Sequence, residues 1–198
     1  MAPKQQRGEA TVDLLLDTAL RVYAESGRQG FTVNAVTAAS GVSFGSLYHH
    51  FGSFDGLAAA LYIRCMDRLC DPVVAAVTRS RTARTGIRAL VRAYLDFTRD
   101  HRDVALFLHA SVQSRYLAAH AQEVMAAKEA KFAPIAAWLH PRVVAGELAP
   151  LPAHFIEILV MGPVAETAQR WLSTAYEVDL DEAARVLPDR IWRSLRPD

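Results

Sequence analysis

The chain has 198 residues, with 22 Lys and Arg against 21 Asp and Glu, and 52% of it is hydrophobic. That much apolar material over this length supports a core without disulfides or a structural metal, and it excludes a disordered chain. A formal net charge of +1 excludes a globally basic nucleic-acid binder, so any such binding must come from a local surface.

Helical spacing recurs along the chain and no alternating strand pattern lasts more than a few residues, which predicts an all-α fold. Val12, Leu15, Leu16, Ala19 and Tyr23 define a first helix over roughly Glu9 to Ser26, stopped by Gly27 and Gly30. Thr32 is placed to cap a short second helix carrying Val33, Val36 and Ala39, which Gly41 ends in a tight turn. Ser43 caps a third helix reaching about His49. Gly52 and Ser53 then break the chain before a long fourth helix, from Phe54 to at least Cys70, that Asp71-Pro72 is expected to kink or end. The predicted domains are therefore residues 1–53 and residues 54–198, with the fourth helix connecting them.

Further along, Arg79 to Gly86 reads as a polar loop, and Ile87, Leu90, Val91, Tyr94 and Thr98 line one side of the next helix. Val104 to Leu108 is a short apolar segment. Ser114 to Trp138 is amphipathic but interrupted by Pro134, and Gly146 to Pro152 is a turn. From Phe155 to Leu172 two apolar stripes run side by side, one with Phe155, Ile158, Leu159 and Ala165, the other with Ile156, Val160, Val164 and Trp171. A helix apolar on two faces needs two partners. One is the chain's own core and the other is expected to be a second subunit, approached by Ile156, Val160, Val164 and Trp171. Leu187 and Ile191 of a last helix, Asp181 to Leu195, are expected to share that interface, with Pro188 kinking the helix.

Other chemistries find little support. Cys65 and Cys70 are five residues apart, which puts them on different sides of a helix and favours inert thiols. No apolar run approaches the roughly 20 residues of a membrane span, and the start of the chain has no apolar segment typical of a secretory signal, so a cytoplasmic protein is expected. The seven histidines show no metal-ligand spacing, and no metal or cofactor is expected. Gly41-Val-Ser-Phe-Gly45 matches the hydrolase elbow G-x-S-x-G, but that motif needs a preceding strand, and this one follows a predicted helix. His101-Arg-Asp103 lacks the asparagine and glycine-rich loop of a kinase. No catalytic residue is assigned, and an enzyme is not expected.

A short helix, a glycine turn and a second short helix match the helix-turn-helix, whose second helix enters the DNA major groove. The run FTVNAVTAASGVSFGSLYHHF, from Phe31 to Phe51, followed by Gly-Ser-Phe-Asp-Gly-Leu57, closely resembles the signature of the tetracycline-repressor (TetR) family of bacterial regulators. Thr32, Val36, Gly41, Val42, Gly45, Leu47, Tyr48, Phe51 and Leu57 stand where that family has them. The resemblance covers some 45 residues, and Pro150, Pro152 and Gly162-Pro163 also look like the family's C-terminal half. It implies an N-terminal three-helix DNA-binding domain and a C-terminal helical domain for effector binding and dimerisation. It further implies a ligand-responsive regulator, most simply a repressor, that binds a near-palindromic double-stranded operator as a homodimer and does not associate with membranes.

The individual residues carry a physical reading of their own. Gly41 permits the left-handed turn, Gly45 lets the helix approach the sugar-phosphate backbone, and Val36, Val42, Leu47 and Phe51 form core. Tyr48, Thr32, Ser43 and Ser46 offer neutral donors to phosphate, joined by Arg28. Phe44, Ser46 and His49 are the expected base readers, Phe44 by touching a thymine methyl. Two departures stand out: Phe54 stands at the start of the fourth helix where the family usually has a lysine, and Phe44 where its third helix often begins with a basic or polar residue. No Lys or Arg occurs from Gln29 to Ile63, and residues 1–63 hold Lys4, Arg7, Arg21 and Arg28 against Glu9, Asp13, Asp17, Glu25 and Asp55. The alternative is therefore a dimeric helical ligand-binding protein whose DNA affinity is weak or lost.

Proteins of the resembled family enclose a small molecule among their C-terminal helices, and binding moves the fourth helix and with it the two recognition helices. Met66, Leu69, Tyr94, Phe97, Phe107, His109, Tyr116, Phe132, Trp138, Phe155 and Met161 are the candidate wall residues. Their aromatic, low-charge character predicts an apolar or aromatic effector.

Overall fold

In a computed structural model, residues 3–111, 114–174 and 177–197 are described, without the side chains of residues 3–5 and 115. The Lys4 side chain counted above therefore lies outside the described part. Ten helices and no strand occur among these residues: α1 (Pro3–Gly30), α2 (Val33–Ser40), α3 (Phe44–Phe51), α4 (Phe54–Thr78), α5 (Ala83–Asp100), α6 (Arg102–Ser111), α7 (Arg115–Ala119), α8 (Ala121–Val144), α9 (Ala153–Ser173) and α10 (Leu180–Leu195). The all-α expectation is met. No helix among the described residues is long and apolar enough to cross a membrane.

Several helices are longer than the sequence suggested. α1 starts at Pro3 instead of Glu9, consistent with proline's fitness for a first helical turn, and is broken at Gly27, where φ is 62°. α4 continues through Pro72 to Thr78, and α8 through Pro134 and Pro141 to Val144. All three prolines are exposed, as are Arg68, Ala130 and Ala137 four residues before them. The backbone carbonyls that lose a partner at each proline therefore lie on exposed turns, where water can replace the missing bond. Likewise Pro188 lies within α10, which is not broken there. α5 begins at Ala83, inside the expected polar loop, because Thr82 and Thr85 form a reciprocal capping box.

Packing groups the chain into two compact units, residues 1–66 with 106–127, and residues 67–105 with 128–198. The chain passes between them inside α4, α6 and α8. These units are not the contiguous segments 1–53 and 54–198, and the aromatic packing of the first unit shows why. Its core joins Leu15, Ala19, Val36, Leu47, Leu57 and Leu61 to Phe107 of α6, all essentially inaccessible to solvent. Tyr23 meets Phe31 and Phe107 edge-on, at centroid distances of 5.4 and 4.9 Å, and Phe31 also lies 6.0 Å from Phe107. A segment distant in sequence thus completes the hydrophobic support of α1 and α2.

In the second unit α5, α9 and α10 pack on one another around Val91, Leu95, Ile156, Val160, Val164, Ala168, Ile191 and Leu195. α8 is fastened at its C-terminal end. The Trp138 indole N–H donates to Ser80 O at 2.9 Å, the Arg142 guanidinium lies 3.9 Å over that indole, and Arg142 also donates to the carbonyls of Ser80 and Arg81. Gly86 on α5 lets the indole approach, since any side chain there would overlap the Trp138 ring. Glu147 then accepts from the first amide of α5, Ala83 N–H, at 2.7 Å.

Candidate nucleic-acid interface

The helix-turn-helix is built by local capping. Thr32 sits in extended backbone and its Oγ1 accepts from Ala35 N–H at 3.2 Å, fixing the start of α2. Gly41 has φ 70° and ψ 5°, the left-handed conformation that a residue with a side chain adopts at a cost, and its N–H closes α2 on Thr37 O at 3.0 Å. Ser43 returns the chain to extended geometry, and its Oγ accepts from Ser46 N–H at 3.3 Å to start α3. Gly52 ends α3, and Ser53 Oγ accepts from Gly56 N–H at 2.9 Å at the start of α4.

This geometry sorts the predicted residues. Val36 and Leu47 are fully buried, while Val42 and Phe51 are half-buried. Thr32, Ser43, Phe44, Gly45, Tyr48 and His49 are exposed and Ser46 is partly so, so all seven predicted contacts of the α2–α3 unit are open to solvent. Arg28 is also exposed, beyond the Gly27 break and four residues before the Thr32 cap. Thr32 and Ser43 spend one oxygen lone pair on their caps, and each hydroxyl proton remains able to donate. A Cβ built on Gly45 meets nothing within 4 Å, so the open approach at this position faces outward from the chain. A shallow groove runs past Asn34, Thr37, Ala38, Gly41, Val42, Ser43 and Phe44.

Three further positions lie near this surface. Asn34 is exposed on α2 beside the groove. Because α1 extends to Pro3, Gly8 lies beside the end of α3, where a Cβ on it would stand 3.8 Å from His50 Cε1. This brings the exposed Arg7 into the neighbourhood of the reading helix. The His50 ring lies 5.2 Å from that of His49. The signal for Arg7 is helical phase upstream of Glu9, which the polar composition of residues 3–8 hides.

The departures from the family pattern have structural outcomes. Phe54 lies 4.9 Å from Phe31 with the rings tilted by 49°, so its ring joins the core of the first unit. Phe44 is 46% exposed at the first position of α3. Arg64, the first Lys or Arg after Arg28, pairs with Asp13 at 3.3 Å and Asp17 at 2.8 Å on α1.

The dimer assignment requires correction. Ile156, Val160, Val164 and Ile191 are buried in the chain's own second-unit core, and Trp171 and Leu187 are half-buried against it. Of the other stripe of α9, Phe155 is 49% and Ile158 58% exposed, while Leu159 packs against that core and Ala165 is half-buried. Spacing showed two apolar stripes but not which of them α5 and α10 would cover.

The effector-wall residues divide between the units. Met66, Phe107, His109 and Tyr116 belong to the first, and Leu69, Tyr94, Phe97, Phe132, Trp138, Phe155 and Met161 to the second. Three of them prove unsuited to lining a cavity. Phe107 fills the aromatic core, Trp138 is fastened over Gly86, and Phe155 is exposed beside His154, with ring centroids 4.4 Å apart. Tyr116 is buried with its hydroxyl 3.0 Å from Ser111 Oγ, and Phe97 is buried with its ring 4.6 Å from that of His101. Burial holds the half-buried His109 below the usual imidazole range. Among the described residues no group of three or more His, Cys, Asp or Glu is placed to hold a metal.

Residues 15–61 match the family described as bacterial regulatory proteins, tetR family. The HTH-type transcriptional regulator BetI of Rhizobium meliloti (strain 1021) is 35% identical over 78 residues, 39% of this chain and 38% of that protein. The HTH-type transcriptional repressor KstR2 of Rhodococcus jostii (strain RHA1) is 32% identical over 94 residues, 47% of this chain and 46% of that protein. The matches thus span less than half the length of these two curated relatives. A TetR family transcription regulator from Marinobacter aquaeolei VT8 shares the fold with a TM-score of 0.80 at 19% identity, over 98% of this chain and 100% of that one. FadR from Bacillus subtilis, solved in complex with stearoyl-CoA, has a TM-score of 0.76 at 16% identity, over 90% of this chain and 96% of its own. The capped helix-turn-helix thus lies inside the segment that matches the tetR family of bacterial regulatory proteins, and the helical fold is shared along nearly the whole chain.

Proposed function

We propose that the chain binds a near-palindromic operator as a homodimer and represses transcription until a small apolar or aromatic molecule releases it. The observation that carries DNA binding is α3, capped by Ser43 and anchored by the inaccessible Leu47, with Phe44, Gly45, Tyr48 and His49 exposed. Tyr48, Thr32, Ser43, Arg28 and the first-turn amides of α3 hold phosphates, while Phe44, Ser46 and His49 meet base edges. Two such helices related by a two-fold axis require half-sites about one helical turn, or a multiple, apart.

The dimer face we assign is the exposed stripe of α9, Phe155 and Ile158, with Val186 of α10, which is 47% exposed. Large exposed apolar side chains are the surface that a second copy would cover. For the effector we assign a wall drawn from Leu69, Tyr94, Phe97, Phe132 and Met161 of the second unit, which carry no formal charge and favour an apolar ligand. Ligand and DNA must weaken each other's binding by the same factor, and α4, whose residues belong to both units, is the proposed lever.

Selection from a random DNA library with the full chain tests this. An enriched motif with two-fold symmetry is expected, Tyr48→Phe weakening all sites alike and Ser46 or His49 substitutions changing preference. The absence of Lys and Arg from Gln29 to Ile63 favours one second reading, a dimeric ligand-binding protein with weak or lost DNA affinity. No enriched motif at low salt would decide for it.

A further inference from the structure

The reading helix, Phe-Gly-Ser-Leu-Tyr-His-His-Phe, has an unusual inventory for discriminating bases. Guanine is singled out by Arg or Lys, adenine by Asn or Gln, and cytosine by Asp or Glu accepting from its amino group. α3 contains none of these types, and Ser46 and His49, its other base-facing side chains, bring hydrogen-bonding groups and no apolar surface to a methyl group. Asn34 lies on α2, which in this motif crosses the backbone. What α3 does present is Phe44, 46% exposed at its first position, the end of a recognition helix that meets base edges. Its groove neighbours Thr37, Ala38, Gly41 and Val42 are uncharged. An exposed phenyl ring can distinguish one feature of the major groove, the C5-methyl group of a pyrimidine.

We propose that Phe44 determines operator specificity by contact with a pyrimidine C5-methyl group, so that each half-site carries a thymine that 5-methylcytosine can replace and uracil cannot. The proposal rests on the DNA-binding reading above and adds the chemistry by which that surface selects its sequence.

The test starts from the operator selected with the full chain. Deoxyuridine replaces thymine at symmetric positions, one pair at a time. At the sensitive pair, cytosine and 5-methylcytosine, each opposite guanine, are compared. One thymine pair is expected to be sensitive, its loss of methyl costing about fourfold per half-site and about fifteenfold for the dimer. 5-methylcytosine should bind more tightly than cytosine there by a similar factor. In Phe44→Ala both differences should vanish, and in Phe44→Leu they should persist in reduced form. Thermal melting of both variants, which alter an exposed position, verifies that the chain stays folded. A selected operator with no methyl-sensitive thymine, or one equally sensitive in Phe44→Ala, overturns the proposal while leaving DNA binding intact. Failure to select any operator removes the DNA-binding reading and the proposal with it.

Discussion

Phe54 opens α4 with its ring 4.9 Å from that of Phe31, which itself stacks edge-on against Tyr23. A position where the resembled family usually has a lysine is therefore part of an aromatic cluster in this chain. Phe54→Lys should lower stability by about 1–3 kcal/mol, the worth of a half-buried ring and its aromatic contact. It should also raise affinity for any duplex at low salt and steepen the slope of log affinity against log salt by up to about 2 per dimer. Urea melts and salt titrations read the two effects separately. A stability loss without a steeper slope would show that the new ammonium does not reach a phosphate.

For the unmodified chain the same slope should be shallower than about −7, because four Lys and Arg per subunit in the reading region limit a dimer to about eight phosphate contacts. Arg64 should add nothing, since it faces Asp13 and Asp17. Arg64→Ala should leave the slope unchanged and cost at most about 1 kcal/mol of stability, as exposed ion pairs do. A shallower slope in that variant would mean that Arg64 leaves α1 for DNA.

Charges on the two stripes of α9 should have opposite consequences. Val160→Glu puts an unpaired carboxylate into the core beside Ile156 and Val164, and should unfold the second unit or cost several kcal/mol. Ile158→Glu, on the 58% exposed side, should leave helicity and melting of the subunit nearly unchanged and yield monomers on sizing. Folded dimers of Ile158→Glu would place the interface elsewhere.

The contrast between those stripes shows where sequence reasoning was informative. Gly41, Thr32 and Ser43 announced their roles because caps and left-handed turns depend on a few adjacent residues. The continuation of α4 past Pro72 is not legible locally, because the effect of a proline depends on which way its turn faces, and this one faces outward. Which side of α9 would be buried, and the joining of Phe107 to Tyr23, depend on elements far away in the chain. Local patterns show that a face is apolar, while long-range packing selects what covers it.

His109 gives a pH dependence whose sign follows from burial. Desolvation penalises its imidazolium, so its folded-state pKa lies below the ordinary value of about 6.5. Above that value the side chain is neutral in both states and adds no slope. As pH falls below it, the unfolded chain takes up a proton that the folded chain refuses, and stability declines until the lower folded pKa is reached. The opposite sense, stability gained on acidification, would require a raised pKa. Asp189, held down by hydrogen bonding and charge from Arg84 and Arg88, also loses its contribution on acidification, but only below the ordinary carboxylate value of 3.8. The two windows are separate. Urea melts at pH 7.5 and 5.5 should therefore show a loss in the unmodified chain that is smaller in His109→Gln, which keeps a polar side chain without a group that titrates in this range. Equal losses in both proteins would mean that His109 does not carry the penalty.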